Sequence, residues 1–585
     1  MNFENMKNIE MVVELLKEHN IKHLVINPGG TNIPLIKLVQ NDNFFNCYSV
    51  VDERSAVYFA IGIYLQTGNP VAMICTSAQA TRNYIPGLTE AFYKKVPILA
   101  ITMEKHPRFK YQGYMQAPDQ TSLPKDSVKK SFELPFIRDI NDVYHSHRAI
   151  NEAILELSHN GNGPVQLCIP MLDFKIADIE PKNISMKRIL INDLDKINLN
   201  EKKILIVIGE HRIFSKEEKD ALDYFCKNTD TVIYTNHLSN FSNEFSIDAN
   251  LLLSTISDEK FEKIKPDIII TIGGQTGDYP LYLRLSKTNY SEIENWLISE
   301  DGNVVDTYDK LTCIFQGKEK DFFLNICENN IKYHNYYELW KNENEKLTRN
   351  IDVPFSNVSI ANFLHDKLPE NSIIQFSILN SLRVWNLFEL NPKIECYSNV
   401  GAFGIDGGMS TLIGQSIVTD KLSFMIIGDL AFLYDMNSLG IRHIKNNLRI
   451  LIINNNGGIE FKLYGEDKKI VDNYIAAANH FKNAKGWAET CGFKYLSAKN
   501  MDEFKENSQE FISKSDKPII FEVFVSDLDE SKAYQEIIKI NKETTKIEYL
   551  KEALKDSIKK SIGNDNFNKL KNKMKRYGES KKWVR

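Results

Sequence analysis

Phe424-Met425-Ile426-Ile427-Gly428-Asp429-Leu430, followed by Arg449-Ile450-Leu451-Ile452-Ile453-Asn454-Asn455-Asn456-Gly457-Gly458, decides how this chain is read. Each is an apolar, β-branched run that ends in Gly, Asp or Asn. That pattern predicts a strand buried on both faces of a parallel sheet, with polar side chains at its carboxyl end, where open α/β sheets bind ligands. A carboxylate, a side-chain amide and a backbone carbonyl are hard oxygen ligands, suited to a Mg²⁺ that keeps other positions for water and diphosphate oxygens. The glycines allow close backbone approach, and the helix start near Ala431 to Asp435 can face anionic charge. Gly-Asp after a strand also marks an ordinary turn, so the weight rests on its spacing to the asparagines.

The same rhythm extends outward. Ser372-Ile373-Ile374-Gln375-Phe376 adds a strand to this unit. Near the N-terminus, His23-Leu24-Val25-Ile26 runs into Asn27-Pro28-Gly29-Gly30, and Val71-Ala72-Met73-Ile74-Cys75 runs into Thr76-Ser77. Between these regions, Lys203-Ile204-Leu205-Ile206-Val207-Ile208-Gly209 restarts the pattern after a polar stretch, 176–200, that reads as a linker. Continuous apolar strands alternating with helical patterns predict an α/β chain of three doubly wound parallel-sheet domains plus a basic helical C-terminal tail. The expected boundaries are 1–172, 195–330 and 350–530, with the tail at 531–585.

A length of 585 residues suits several domains, and 43% hydrophobic with 25% charged residues excludes global disorder. Eight cysteines without a C-x-x-C pair or Cys/His cluster suggest buried thiols rather than a zinc site or disulfide framework. The net charge of −5 gives no reason to expect nucleic acid. It is unevenly spread: residues 540–585 hold 14 Lys/Arg against 6 Asp/Glu. A solvated, Lys-rich helix is expected between 549 and 574, with contact to an acidic partner or anionic lipid as the other reading. No run approaches 18 uncharged apolar residues and the first residues lack a signal-peptide pattern, so no membrane span and a cytoplasmic location are expected.

Gly428-Asp429-Leu430 with the downstream asparagines resembles the thiamine-diphosphate motif of the pyruvate-decarboxylase and acetolactate-synthase superfamily. The resemblance implies that Asp429, the Asn456 side chain and the Gly458 carbonyl hold Mg²⁺. It also implies a glutamate on the cofactor's pyrimidine ring, which Asp52-Glu53-Arg54 supplies as Glu53. A carboxylic acid hydrogen-bonded to ring nitrogen N1′ favours the imino tautomer, which takes the proton from thiazolium C2. Within the superfamily the chain looks like the SEPHCHC synthase family from about residue 7 to 530. The matching text includes Pro28-Gly29, Thr76-Ser77 with Asn83, Gly113 with Gln116-Ala117, Asn380-Ser381-Leu382, Gly404-Ile405-Asp406-Gly407 and Tyr434-Asp435-Met436-Asn437. By that likeness Pro28, Gly29, Thr76, Asn83, Gly404, Gly428 and Leu430 belong to the cofactor site, which Ser381 contacts, and Ile405 is the apolar wedge that bends the cofactor. Gln116 faces the reacting carbon, with Lys105 or His106 orienting substrate. Singly, Ile405 reads equally as core, Ser381 as a helix cap and Gln116 as a turn residue. The resemblance further implies a flavin-free enzyme in which Glu53 and Asp429 of different subunits meet across one cofactor, hence a homodimer or dimer of dimers.

The departures bear on substrate. SEPHCHC synthases take two multiply anionic substrates, 2-oxoglutarate and isochorismate, and clamp carboxylates with arginines. Here Val400 follows Asn399 where the family has Arg, and Trp385 occupies the Arg position three residues past Leu382. Gly30-Thr31 replaces a family Ser-Arg, and Asp278-Tyr279 replaces a Lys-Arg pair. Lys105 keeps a positive charge at a family Arg position, and Arg383 lies two residues from a lost one. Each lost charged hydrogen bond costs about 1.5–3 kcal/mol. The expected reaction is therefore thiamine-diphosphate- and Mg²⁺-dependent decarboxylation of a short 2-oxo acid donor such as pyruvate, with transfer of the acyl unit to a carbonyl acceptor such as a keto-sugar. The alternatives are SEPHCHC synthase itself with relocated cations (Arg383, Lys105 or Arg108), a simple decarboxylase, and a non-catalytic binding protein on the same fold.

Overall fold

Val71–Cys75, Ile98–Lys105, Val165–Met171 and Leu448–Asn454 are buried at every position. A strand buried on both faces needs helices on both sides, and the computed structural model supplies them around three sheets whose strand pairs are all parallel. The structure describes residues 6–171, 185–194, 197, 199–287, 292–326, 335–463 and 468–542.

The N-terminal sheet has the spatial order Asn46–Ser49, His23–Ile26, Val71–Cys75, Ile98–Lys105, Val165–Met171, Ser131–Glu133. The C-terminal sheet repeats it with Glu395–Ser398, Ile373–Phe376, Ser423–Gly428, Leu448–Asn454, Ile519–Phe524, Lys494–Ala498. In both, the strand order reverses between the first and third strands of the chain, which makes their carboxyl ends the binding crevice. The central sheet has seven strands, with its own reversal between Lys203–Ile208 and Ile268–Ile272.

Two boundaries differ from expectation. Lys187–Leu190 pairs with Leu311–Gln316 at the edge of the central sheet, so that domain begins inside the stretch read as a linker. An exposed four-residue edge strand carrying Lys and Arg has no apolar run to announce it. At the other end, helix Asp527–Asn541 buries Ala533 and Ile537 against the third domain's core, past the expected limit of 530. The basic helix expected between 549 and 574 lies outside the described residues.

The N- and C-terminal domains of one chain face each other. Tyr474 Oη donates to the Cys47 carbonyl at 3.2 Å, Ser49 Oγ pairs with His480 Nε2 at 3.0 Å, and Val51 packs with Leu430 and Ala477. No helix among the described residues is long and apolar enough to cross a membrane.

Candidate active site

Glu53 opens helix Glu53–Thr67, whose N-cap Asp52 accepts from the Arg54 and Ser55 amides at 2.8 and 3.3 Å. That cap fixes the first turn and turns Glu53 inward, where it is 4% exposed and lines a cavity of about 1080 Å³, open mouth included. Its Oε2 meets Asn83 Nδ2 at 3.4 Å and the Tyr434 hydroxyl at closer range. Burial pushes the Glu53 carboxyl up to about 7, against the bonds from Tyr434 and Asn83 that pull it down. Tyr434 Oη also lies 2.7 Å from the Val51 carbonyl. A phenol has one proton and a carbonyl none. When Tyr434 donates to Val51, the contact with Glu53 is filled by a proton on Glu53. Burial thus brings Glu53 into the range where it can carry a proton near neutrality, the form that can donate to a ring nitrogen.

At the opposite wall, Asp429 is 2% exposed and its two carboxylate oxygens accept from the Leu430 and Gly457 amides, each at 2.8 Å. Asn455 lines the same wall, and its Oδ1 is buried without a hydrogen-bond partner. An orphaned amide oxygen and a buried carboxylate lining one cavity are donor types that fit Mg²⁺. Asn456, the residue expected to provide this amide, takes φ 64 and turns outward: its Nδ2 donates to Asn479 Oδ1 at 2.9 Å and its Oδ1 accepts from the Asn479 amide at 3.1 Å. Gly458 stays on the cavity wall with Gly457.

Between these poles the cavity gathers most of the expected residues: Pro28, Gly29, Gly30, Thr76, Asn83, Gln116, Ser381, Gly404, Ile405, Gly428 and Leu430. A Cβ on Gly29 would stand 2.3 Å from Thr76 Cβ, so only glycine lets the two loops close to this distance. Ile405 packs with Val51, Leu430 and Tyr434, at the place where the two domains meet. Gln116, Leu379 and Phe403 line the cavity with φ near +60°, conformations that cost non-glycine residues about 1–3 kcal/mol and recur at functional sites.

Several expected residues lie elsewhere. Lys105 sits with its ammonium 5.8 Å from the Tyr114 ring centre, and His106 packs at a tilt against Phe136 while its Nδ1 accepts from the Arg108 amide at 3.2 Å. Neither lines the cavity. Thr31 is buried behind Gly30, its Oγ1 2.8 Å from that of Thr76. Asp278 caps helix Tyr279–Leu285 and accepts from buried Tyr234; burial raises its carboxyl. Trp385 is fully buried, with Nε1 donating to Asn357 Oδ1 at 3.2 Å, and Val400 is fully buried beside Gly277. Trp385 and Val400 therefore do not line the cavity. Arg383 reaches its edge through Glu460. Glu53 and Asp429, expected from different subunits, line one cavity within a single chain because the two domains pack face to face.

Residues 6–123 match the family model described as "Thiamine pyrophosphate enzyme, N-terminal TPP binding domain". Over 544 residues the chain is 34% identical to the 2-succinyl-5-enolpyruvyl-6-hydroxy-3-cyclohexene-1-carboxylate synthase of Phocaeicola vulgatus, covering 89% of this chain and 96% of the relative. It is 32% identical to the enzyme of that name from Bacteroides thetaiotaomicron over the same shares, and 29% identical to that of Flavobacterium johnsoniae over 88% and 95%. With a cavity that fits thiamine diphosphate and Mg²⁺, and likeness along nearly the whole length of these relatives, the chain belongs to the family of thiamine-diphosphate-dependent 2-succinyl-5-enolpyruvyl-6-hydroxy-3-cyclohexene-1-carboxylate synthases.

Proposed function

We propose that this chain makes the product for which its relatives are named, by decarboxylating 2-oxoglutarate and joining the remaining succinyl unit to isochorismate. The observation that carries this reading is likeness over 96% of a relative's length, laid on a cavity that Trp385 and Val400 do not enter. Those two replacements had favoured a short donor, and their burial removes the steric half of that case. Thiamine diphosphate, when bound, supplies the electron sink that lets a 2-oxo acid lose CO₂ and pass its acyl carbon to an acceptor. Glu53 would hold the proton facing the pyrimidine ring, with Tyr434 fixing that carboxyl. Asp429 and Asn455 would hold Mg²⁺. Gln116, with φ 61 and on the N-terminal side of the cavity, would orient substrate.

A cytoplasmic homodimer or dimer of dimers belongs to the same reading. Helix Glu53–Thr67 leaves Tyr58, Phe59 and Leu65 between 45% and 57% exposed directly behind Glu53, a face suited to a second copy. Light scattering of the purified protein checks it.

A second reading keeps one observation: Arg383, the cation beside the cavity, is already paired with Glu460, which suits a short donor such as pyruvate and a keto-sugar acceptor. The holoenzyme incubated with 2-oxoglutarate and isochorismate, and separately with pyruvate with and without a keto-sugar, separates the two by mass spectrometry of products. Formation of the succinylated cyclohexene acid supports the first. Efficient turnover of pyruvate without it would overturn that reading, and release of a free aldehyde without acceptor would mark a simple decarboxylase.

A further inference from the structure

Among the described residues, those lining the cofactor cavity include four carboxylates, Glu53, Asp406, Asp429 and Glu460, and no Lys or Arg. An anionic substrate would meet a repelling wall unless a cation stands just behind it. Arg383 is there. It lies on helix Asn380–Trp385, which begins with the cavity residues Asn380 and Ser381, and its side chain is 11% exposed. The guanidinium forks onto Glu460, Nη2 to Oε1 at 3.0 Å and Nη1 to Oε2 at closer range. Glu460, 21% exposed, follows Gly458 in the turn Ile459–Phe461 and faces the cavity. Behind the pair lies a side cavity of about 270 Å³, lined by Arg383, Asp278 and Asn386 and sharing Leu379 and Phe403 with the main cavity. Arg383 therefore lines the side cavity and reaches the main one through Glu460.

A buried ion pair is a weak source of stability, since desolvation of both ions offsets most of their attraction. What the fork does provide is a geometry that any carboxylate can reproduce. Of the two partners Glu460 is the more exposed and sits on a short turn, so it is the one that can yield. Arg383 is anchored in a helix, one residue from buried Val384.

We propose that Arg383 is the carboxylate-binding residue of this active site and that Glu460 is its resident place-holder, displaced when the distal carboxylate of a dicarboxylic donor enters. This rests on the reading of the donor as 2-oxoglutarate. It also moves the carboxylate site to a position that compensates for the arginines replaced by Trp385 and Val400.

The test is calorimetric titration of glutarate, a non-reacting dicarboxylate, and of butyrate, its monocarboxylate counterpart, into the thiamine-diphosphate and Mg²⁺ holoenzyme. Arg383→Ala should weaken glutarate at least tenfold more than butyrate. Glu460→Gln should do the opposite and tighten glutarate several-fold, because it removes the competing charge. A merely structural pair would weaken glutarate in both variants. Equal effects on the two ligands in Arg383→Ala, or weaker glutarate in Glu460→Gln, would overturn the proposal. If glutarate binding follows the expected pattern while 2-oxoglutarate is not turned over, the donor reading falls and the carboxylate site stands.

Discussion

Replacing Tyr434 with phenylalanine removes one oxygen from the junction of the two cofactor-binding domains and tests how that hydroxyl tunes the proton affinity of Glu53. The hydroxyl lies 2.7 Å from the Val51 carbonyl and in contact with Glu53 Oε2. Its bond to Glu53 stabilises the ionised carboxylate, so its loss raises the Glu53 carboxyl further above its present value of about 7. A hydrogen bond to a buried charge contributes about 1.5–3 kcal/mol, which at 1.36 kcal/mol per unit moves the group up by about 1–2 pH units. Binding a pyrimidine ring that needs the protonated acid costs no proton uptake well below the carboxyl's midpoint and takes up one proton well above it. The midpoint of uptake should therefore lie near pH 7 in the native protein and about 1–2 units higher in Tyr434→Phe. Titrating thiamine diphosphate with Mg²⁺ across pH, in pairs of buffers of different ionisation enthalpy, counts the protons directly. Superimposable uptake curves for the native protein and Tyr434→Phe would refute the role given to this hydroxyl. Uptake that survives in Glu53→Gln would assign the proton to another group.

Asn455→Ala should raise the Mg²⁺ needed for cofactor binding by at least about tenfold, whereas Asn456→Ala should leave it within a few-fold; fluorescence titration with Mg²⁺ distinguishes them, and the reverse order would restore Asn456 as the ligand. Trp385→Ala should cost about 3–5 kcal/mol of stability by urea unfolding, and Trp385→Phe, which keeps most of the packing, should retain the native donor selectivity; a change in selectivity would return this residue to the substrate pocket. Glu530, 1% exposed and accepting from the Asn357 amide at 2.9 Å, is pushed up to about 7 by burial. A carboxyl raised in the folded state favours folding while protonated and loses that contribution as pH climbs from its unfolded value of 4.5 to its folded one. Glu530→Gln should therefore stabilise the protein at pH 8 by about 3 kcal/mol relative to pH 5, read as a flatter profile of unfolding midpoint against pH.

The sheets were open to reading because their strands are unbroken apolar runs, and Glu53 and Asp429 because each follows such a run directly. What the text could not supply was the direction of side chains beyond the strand ends. Asn454, Asn455 and Asn456 are identical in sequence terms. Asn454 still belongs to the strand and holds Glu522, the left-handed turn at Asn456 throws its side chain toward Asn479, and of the three only Asn455 lines the cavity with Asp429. The same limit governs Arg383 and Trp385. Two residues apart on a helix they are rotated by about 200°, so Arg383 borders a side cavity while Trp385 is fully buried, a difference that residue type alone does not carry.

The repeated strand order explains which positions carry chemistry. In both domains the cavity is lined from the carboxyl ends of the first three strands in the chain: Pro28, Glu53 and Thr76 in one, Leu379, Ile405 and Asp429 in the other. After the second strand one domain presents a proton-carrying carboxyl and its counterpart the apolar Ile405. After the third, one presents Thr76 and the other the buried carboxylate of Asp429. The fourth strands break the parallel. Leu448–Asn454 delivers Asn455 to the cavity, whereas Ile98–Lys105 ends in Lys105 and His106, which turn onto Tyr114 and Phe136. With Lys105 held over the Tyr114 ring, the cation that reaches the cavity edge among these residues is Arg383, through Glu460. Discrimination among 2-oxo acids should accordingly track residues 383 and 460, both in the C-terminal domain, and be insensitive to Lys105 and His106 in the N-terminal one.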